Sequence, residues 1–344
     1  GIVIGVFCIL FARPMLQALH TKSDLIDAAV LYLKIYALGM PAMAVYNFGN
    51  GVLSAKGDTK SPLIYLAVAG VLNIILNLIF VIGFHLAAAG VAIASAIAQY
   101  VSMLLVMRNL LKRRDVCRLQ ISKIQFHQDV AKGILLMGIP TGLQNAIFAL
   151  ANLFVQRGVN YFYTIMVSGN AAATNADAII FNVMSAFYTG CASFVSQNRG
   201  AGNRERMKKS YLVALTYSFL IGLFLGACLF FGGRYFLRAF ATDRAVIDAG
   251  MERIKIMAFA YSISAFMDCT IAASRGLGKS IGPMIIVMLG SCVFRIIWVY
   301  TIFAHFHTIP SLYLLYPLSW TLTAIAEIAY FIVQFRKVMP KSRI

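Results

Sequence analysis

The chain has 344 residues, 60% hydrophobic and only 12% charged, with a net charge of +18 and a mean hydropathy of +0.80. Soluble domains carry about 25% charged residues, so a soluble globular fold is excluded and a polytopic, all-α membrane protein is expected. An excess of 30 basic over 12 acidic residues would suggest nucleic acid in a soluble protein. Here the Lys and Arg separate apolar runs, as cytoplasmic loops do, so the expected partners are the lipid bilayer and small molecules, with no nucleic acid.

Apolar runs of about 20 residues are long enough to cross a bilayer. Ten follow one another: 1–19, 27–53, 61–84, 88–110, 133–160, 171–196, 210–232, 246–273, 282–304 and 312–335. The basic residues test the threading. Lys56 and Lys60, the 108–132 stretch (Arg108, Lys112, Arg113, Arg114, Arg118, Lys123, Lys132), Arg199 to Lys209, Arg275 and Lys279, and the tail (Arg336, Lys337, Lys341, Arg343) all fall on one side. The other side has short uncharged turns, with an exception at Arg234, Arg238 and Arg244. That bias predicts a multi-pass cell-membrane protein with its basic linker and C-terminus in the cytoplasm.

The chain also repeats itself. Residues 34–62 (KIYALGMPAMAVYNFGNGVLSAKGDTKSP) echo residues 255–283 (KIMAFAYSISAFMDCTIAASRGLGKSIGP), at an offset of 221 that holds without a gap from Gly1/Gly222 to Ile75/Ile296. Arg13/Arg234, Thr21/Thr242, Asp27/Asp248, Lys34/Lys255, Gly57/Gly278 and Pro62/Pro283 are shared, types that an apolar composition does not match by accident. A long fixed-period echo predicts parallel structural repeats, and in membranes such repeats form lobes with a substrate site at their interface. The expected organisation is a two-lobe helical bundle: an N-terminal lobe at 1–111, a basic inter-lobe linker at 112–132, and a C-terminal lobe of six spans at 133–344. The repeat pairs the first four spans with the last four. Two equal lobes of six then predict two further spans upstream, about 90–100 residues, so ten of twelve are present.

Enzyme signatures are missing: there is no HExxH, no Ser/His/Asp grouping and no CxxC, and the five histidines lie near span ends or in loops. The six cysteines read as small apolar residues, with no metal site. Polar groups at membrane depth are costly and therefore candidates. Asp268, Asp177, Glu327 and Arg295 sit inside spans, with Arg295 the clear intramembrane cation; Asp268 reads either as a lone proton-carrying carboxylate or as the partner of Arg295, with Glu327 a rival. Asn73 and Asn77 are one turn apart and share a face. The pairs Asn175/Asn182 and Asn152/Gln156 each share a face and are expected to line the second lobe, with Asp177 pointing elsewhere. Tyr36, Tyr46, Tyr261 and Met267 flank Asn47 and Asp268, which the repeat places at equivalent positions. They are candidate cavity residues by cation–π and pliable apolar contact. Pro41 and Pro140 are candidate gating points, since proline loosens helical hydrogen bonding.

GVLSAKGDTKSP at 51–62 and its copy ASRGLGKSIGP at 273–283, SQNRGAGN at 196–203 and GIPTGLQ at 138–144 resemble, in order, the signatures of the MATE (multidrug and toxic compound extrusion) transporters. The resemblance covers the whole chain. It implies twelve spans in two six-span lobes and export of organic, often cationic and amphipathic compounds by a monomer, driven by Na⁺ or H⁺ moving inward, without a cofactor. It also implies a first-lobe cation site: Asn73 and Asn77 match an Asn/Asp pair four apart and Ser95 matches a Thr, with Asn77 and Ser95 both departing from the pattern. In the second lobe Asp268 matches only at the level of its helix. Two alternatives stay open, a lipid-linked glycan flippase of the same superfamily and a transport-inactive membrane binding protein. The scarcity of intramembrane cations speaks against the flippase.

Overall fold

The computed structural model describes residues 1–18 and 25–338; Thr21, Lys341 and Arg343 of the sequence reading lie outside them. The chain forms two compact units, Gly1–Gln125 and Phe126–Ile344. The first holds helices α1 (Ile2–Ala18), α2 (Ile26–Leu38), α3 (Met40–Ala55), α4 (Lys60–Gly83) and α5 (Ala87–Lys112). The second holds α6 (Gln128–Val159), α7 (Thr164–Gly200), α8 (Arg204–Leu237), α9 (Arg244–Met257), α10 (Ala260–Gly276), α11 (Ile281–Phe306) and α12 (Ile309–Val338). No strand occurs among the described residues.

Seven of these helices are long and apolar enough to cross a membrane, and nine spans result if the bent pairs α2–α3 and α9–α10 each count as one. The first of the ten expected spans is a shorter apolar helix, Ile2–Gln17. Large apolar side chains face outward along the helices: Leu63 is 66% exposed and Ile82 64%. With backbone polar groups satisfied inside the helices, such surfaces suit hydrocarbon rather than water.

The sequence echo is also an echo of local geometry. The α2–α3 pair bends by 43° and the α9–α10 pair by 52°, at equivalent places. π-helical turns close α4 at Ile79–Gly83 and recur in α11 at Val299–Phe303. Arg13 pairs with Asp27, and Arg234 with Asp248 at 2.6 Å. Gly57 and Gly278 both have positive φ, +85° and +70°. In each case the Gly N–H and the next N–H bond back to carbonyls three and five residues earlier, closing the preceding helix in the Schellman manner that glycine alone adopts without strain. The 51–62 and 273–283 motifs are therefore helix stops.

The second unit is the better packed. Ala173, Ala176, Ile180 and Met184 of α7 meet Ile254, Tyr261 and Ala265 of α9–α10 in one buried cluster. Small residues let the backbones approach, as in membrane bundles: a Cβ on Gly226 of α8 would stand 1.8 Å from the Ala258 carbonyl oxygen at the α9–α10 break. In the first unit Tyr46, Leu53, Val106 and Leu110 form a small core between α3 and α5. The chain after α5 folds back onto the α3–α4 turn through ions. Arg113 bonds Asp58 at 2.8 Å and Asp115 at 3.2 Å, and Lys56 bonds Asp115 at 2.5 Å. The Lys56 hydrogen bond holds the exposed Asp115 carboxyl below the usual carboxylate range.

Candidate functional site

A cavity of about 490 Å³ opens inside the second unit. Five helices and the start of α12 supply its wall. Phe148, Asn152 and Gln156 come from α6, and Asn170, Thr174, Asp177 and Phe181 from α7. Arg253 and Met257 close it from α9, Met267 and Asp268 from α10, Arg295 from α11, and Tyr316 and Trp320 from α12. Helical spacing explains the set. Phe148, Asn152 and Gln156 are four apart on one face of α6, as Asn170, Thr174 and Ala178 are on α7.

Two ionic arrangements define the cavity. Asp177 accepts hydrogen bonds from the Arg253 guanidinium and the Tyr261 hydroxyl, and Arg253 stacks over the Tyr313 ring at 5.5 Å. A polar chain continues from there: Tyr313 donates to Asn170 at 2.8 Å, and Asn170 to Gln156 at 3.4 Å. Arg295, 2% exposed, sits differently. Its Nε donates to Ser319 and its Nη1 to the Asn152 amide oxygen, both at 3.3 Å. Its guanidinium lies 4.7 Å from the Tyr316 ring centre, 5.7 Å from Phe148 and 6.0 Å from Trp320.

Several expectations are corrected here. Asp268 and Arg295 both face the cavity, but no described carboxylate lies within 4.0 Å of Arg295, so they are not an ion pair. The Ser264 hydroxyl donates to the Tyr261 carbonyl of its own helix at 2.8 Å, and Asp268 forms no ion pair among the described residues. Asn175 and Asn182 are exposed and are not on this cavity's wall, and Asn175 bonds its own helix at Ala171. It is Asp177, read as pointing elsewhere, that reaches the cavity. The reason is phase: positions 170, 174, 177, 178 and 181 form one stripe of α7, and 175 and 182 fall on another. Arg295 is not the lone intramembrane cation either. Arg253 is 3% exposed, and Arg275 reaches Gln144 at 2.9 Å near the fully buried Glu327, neither of whose oxygens has a hydrogen-bond partner.

Arg253 was missed because it stands in the polar-looking segment RAVIDAGMERIKIM. Its spacing from Met257 and Tyr261, four residues each, was the available signal. Tyr261 and Met267 are buried, the first holding Asp177 and the second on the cavity wall. Asn152 and Gln156 are also on that wall.

In the first unit Asn73, Asn77 and Ser95 do come together. Asn77 donates to Asn73 at 3.0 Å and Asn73 to Ser95 at 3.4 Å, leaving the Asn77 amide oxygen buried and unpartnered. The cluster offers neutral oxygens without a carboxylate. Tyr46 is buried and donates to the Pro62 carbonyl at 3.0 Å, a helix-to-helix tie. Tyr36 stacks on Tyr32, and Asn47 is exposed. Pro41 starts α3 just after the bend, where its missing N–H costs nothing. Pro140 lies inside the continuous helix α6. Among the described residues no cluster of His, Cys, Asp or Glu could hold a metal ion.

The comparisons with known proteins agree with this architecture. The family model MatE matches residues 1–79 and 140–301. The chain is 29% identical over 247 residues to the "Probable multidrug resistance protein YpnP" of Bacillus subtilis (strain 168), covering 72% of this chain and 55% of that protein. It is 22% identical over 310 residues to the "Probable multidrug resistance protein NorM" of Thermotoga maritima, covering 83% and 65%. The chain thus spans between half and two thirds of these relatives. A solved outward-facing multidrug-resistance MATE transporter of the MOP superfamily matches with a TM-score of 0.89 at 19% identity, covering 98% of this chain and 76% of that one, which shows the shared fold. The helical membrane architecture and the family-model match over most of its length together place this chain in the MatE (MATE) family of membrane transport proteins.

Proposed function

We propose that this chain works in a secondary-active antiporter that exports organic compounds in exchange for Na⁺ or H⁺. The observation that carries the reading is the cavity inside the second unit, where four charged side chains and an aromatic wall stand among apolar helices. Charge at such depth is retained for a use. The volume of about 490 Å³ lies within the usual range for small-molecule sites, about 300–1,000 Å³. Asp268 is the coupling candidate, a carboxylate on the cavity wall able to bind Na⁺ or a proton. The Asn73–Asn77–Ser95 cluster is the rival, weaker for Na⁺ because hard cations favour charged oxygens. The bends at Gly39 and Ala258 are the places where the helices can rock, with Pro41 at the first. Export is read with one chain as the functional unit in the cell membrane and the basic linker and C-terminus in the cytoplasm.

The test is ethidium transport in proteoliposomes, driven in turn by a Na⁺ and a proton gradient, with wild type and Asp268→Asn. Transport that needs one gradient and is lost in Asp268→Asn supports coupling at Asp268. Transport unchanged in the variant moves coupling to the Asn73 cluster. No gradient-driven movement of any dye leaves the membrane binding protein as the reading.

A further inference from the structure

We infer that the cavity of the second unit holds an acidic group of its ligand, a carboxylate or a phosphate, on Arg295. The inference deepens the transport reading above and rests on it for the ligand's fate, though not for its binding.

Arginine keeps its charge in proteins and offers five donors in a planar fork. Arg295 is buried to 2% exposure, yet all its partners are neutral. The two hydrogen bonds are long, 3.3 Å each, to Ser319 and Asn152, where charge-assisted bonds run about 2.7–2.9 Å. Three rings, Tyr316, Phe148 and Trp320, lie against the guanidinium and supply no countercharge. The neighbouring arginine makes the contrast. Arg253 has Asp177 within bonding distance, so its charge is matched inside the protein. Among the described residues no acid does this for Arg295, and a buried unmatched charge is costly. Asp268 stands on the same wall and shares its field but is beyond ion-pair distance, so the guanidinium keeps its direct contacts open for an acid that arrives with the ligand. Bidentate pairing of carboxylate or phosphate with the fork is the geometry that Arg favours. The ligand's apolar body would lie along Phe181 and Met267, both on the same wall.

The experiment uses the protein in nanodiscs and three fluorescent probes: 7-hydroxycoumarin-3-carboxylate, 4-methylumbelliferyl phosphate and ethidium. Equilibrium binding is measured for wild type, Arg295→Met, Arg295→Lys and Asn152→Asp. The last puts a carboxylate where an amide oxygen now meets Nη1, matching Arg295 from within, and thermal unfolding reports that it is folded even where Arg295→Met is not. Saturable binding of at least one anionic probe, weakened at least tenfold in Asn152→Asp and partly in Arg295→Lys, is the expected result. Which probe binds separates carboxylate from phosphate. Anionic probes that bind Asn152→Asp as well as wild type, or bind neither, overturn the inference. The two readings fail separately. Ethidium transport without Arg295-dependent anion binding removes the acidic ligand and leaves the antiporter. Arg295-dependent binding without flux of any probe under any gradient removes the antiporter and leaves the site.

Discussion

Asp177 and Arg253 illustrate what a single residue does at this depth. Arg253 is 3% exposed and two of its nitrogens, Nε and Nη1, have no hydrogen-bond partner, so the Asp177 carboxylate is what makes its charge tolerable. Asp177→Ala strands that charge and is expected to destabilise the protein by about 3–5 kcal/mol, read as a fall in the thermal unfolding midpoint in detergent. The paired change Asp177→Leu with Arg253→Met is expected to recover most of the loss, because an apolar pair of similar volume removes both desolvation costs. A double variant no more stable than Asp177→Ala would show that the pair contributes something beyond neutrality. The sequence placed Asp177 and Arg253 76 residues apart on helices with no visible link. Only α9 packing along α7 brought them into contact.

At the scale of the element, the helix breaks and close crossings carry the predictions. Gly226 lets α8 press on the α9–α10 bend, where a Cβ would meet the Ala258 carbonyl oxygen; Gly232, on the same helix, has nothing within 4 Å. Gly226→Ala is expected to destabilise by at least about 1–3 kcal/mol through overpacking, while Gly232→Ala is neutral or slightly stabilising by helix propensity. Equal unfolding midpoints for the two would refute the close crossing. The bend at Gly39–Pro41 is the other element-level device. If it flexes during transport, Pro41→Ala slows ethidium efflux, and an unchanged rate removes the gating role. Apolar length marked 27–53 and 246–273 as one span each, and the structure breaks both into bent pairs; the Gly57 and Gly278 matches were legible as a repeat, and their role as helix stops came with the backbone geometry. The phase of α7 was not legible. Seven-residue spacing showed that Asn175 and Asn182 share a face, but not which face the bundle would cover.

For the molecule as a whole, charge on the loops sets orientation and solubility at the membrane edge. The Lys56–Asp115–Arg113–Asp58 network ties the chain after α5 to the α3–α4 turn. Asp115 is held below its ordinary value by Lys56, so its contribution is complete above about pH 4 and disappears as pH falls through the lowered value. Asp115→Asn should flatten that acid limb of the stability curve, and the effect of the network should shrink at high salt. Cys117 beside it gives the orientation test: a membrane-impermeant maleimide should label Cys117, as the one remaining cysteine, in inside-out vesicles and not in intact cells. The sequence by itself determined the helical membrane class, the repeated half-plan and the loop charges, since each follows from composition, periodicity or chain-local spacing. Helical spacing put Asn73 and Asn77 on one face, and only the family resemblance added Ser95 to them. Which acid meets which arginine was decided by tertiary packing alone: Asp268 without Arg295, Asp177 with Arg253, and Arg295 boxed by rings from two other helices. Ion pairing in a bilayer depends on the rotation of each helix about its axis, and that rotation is set by the small residues and breaks through which the helices touch.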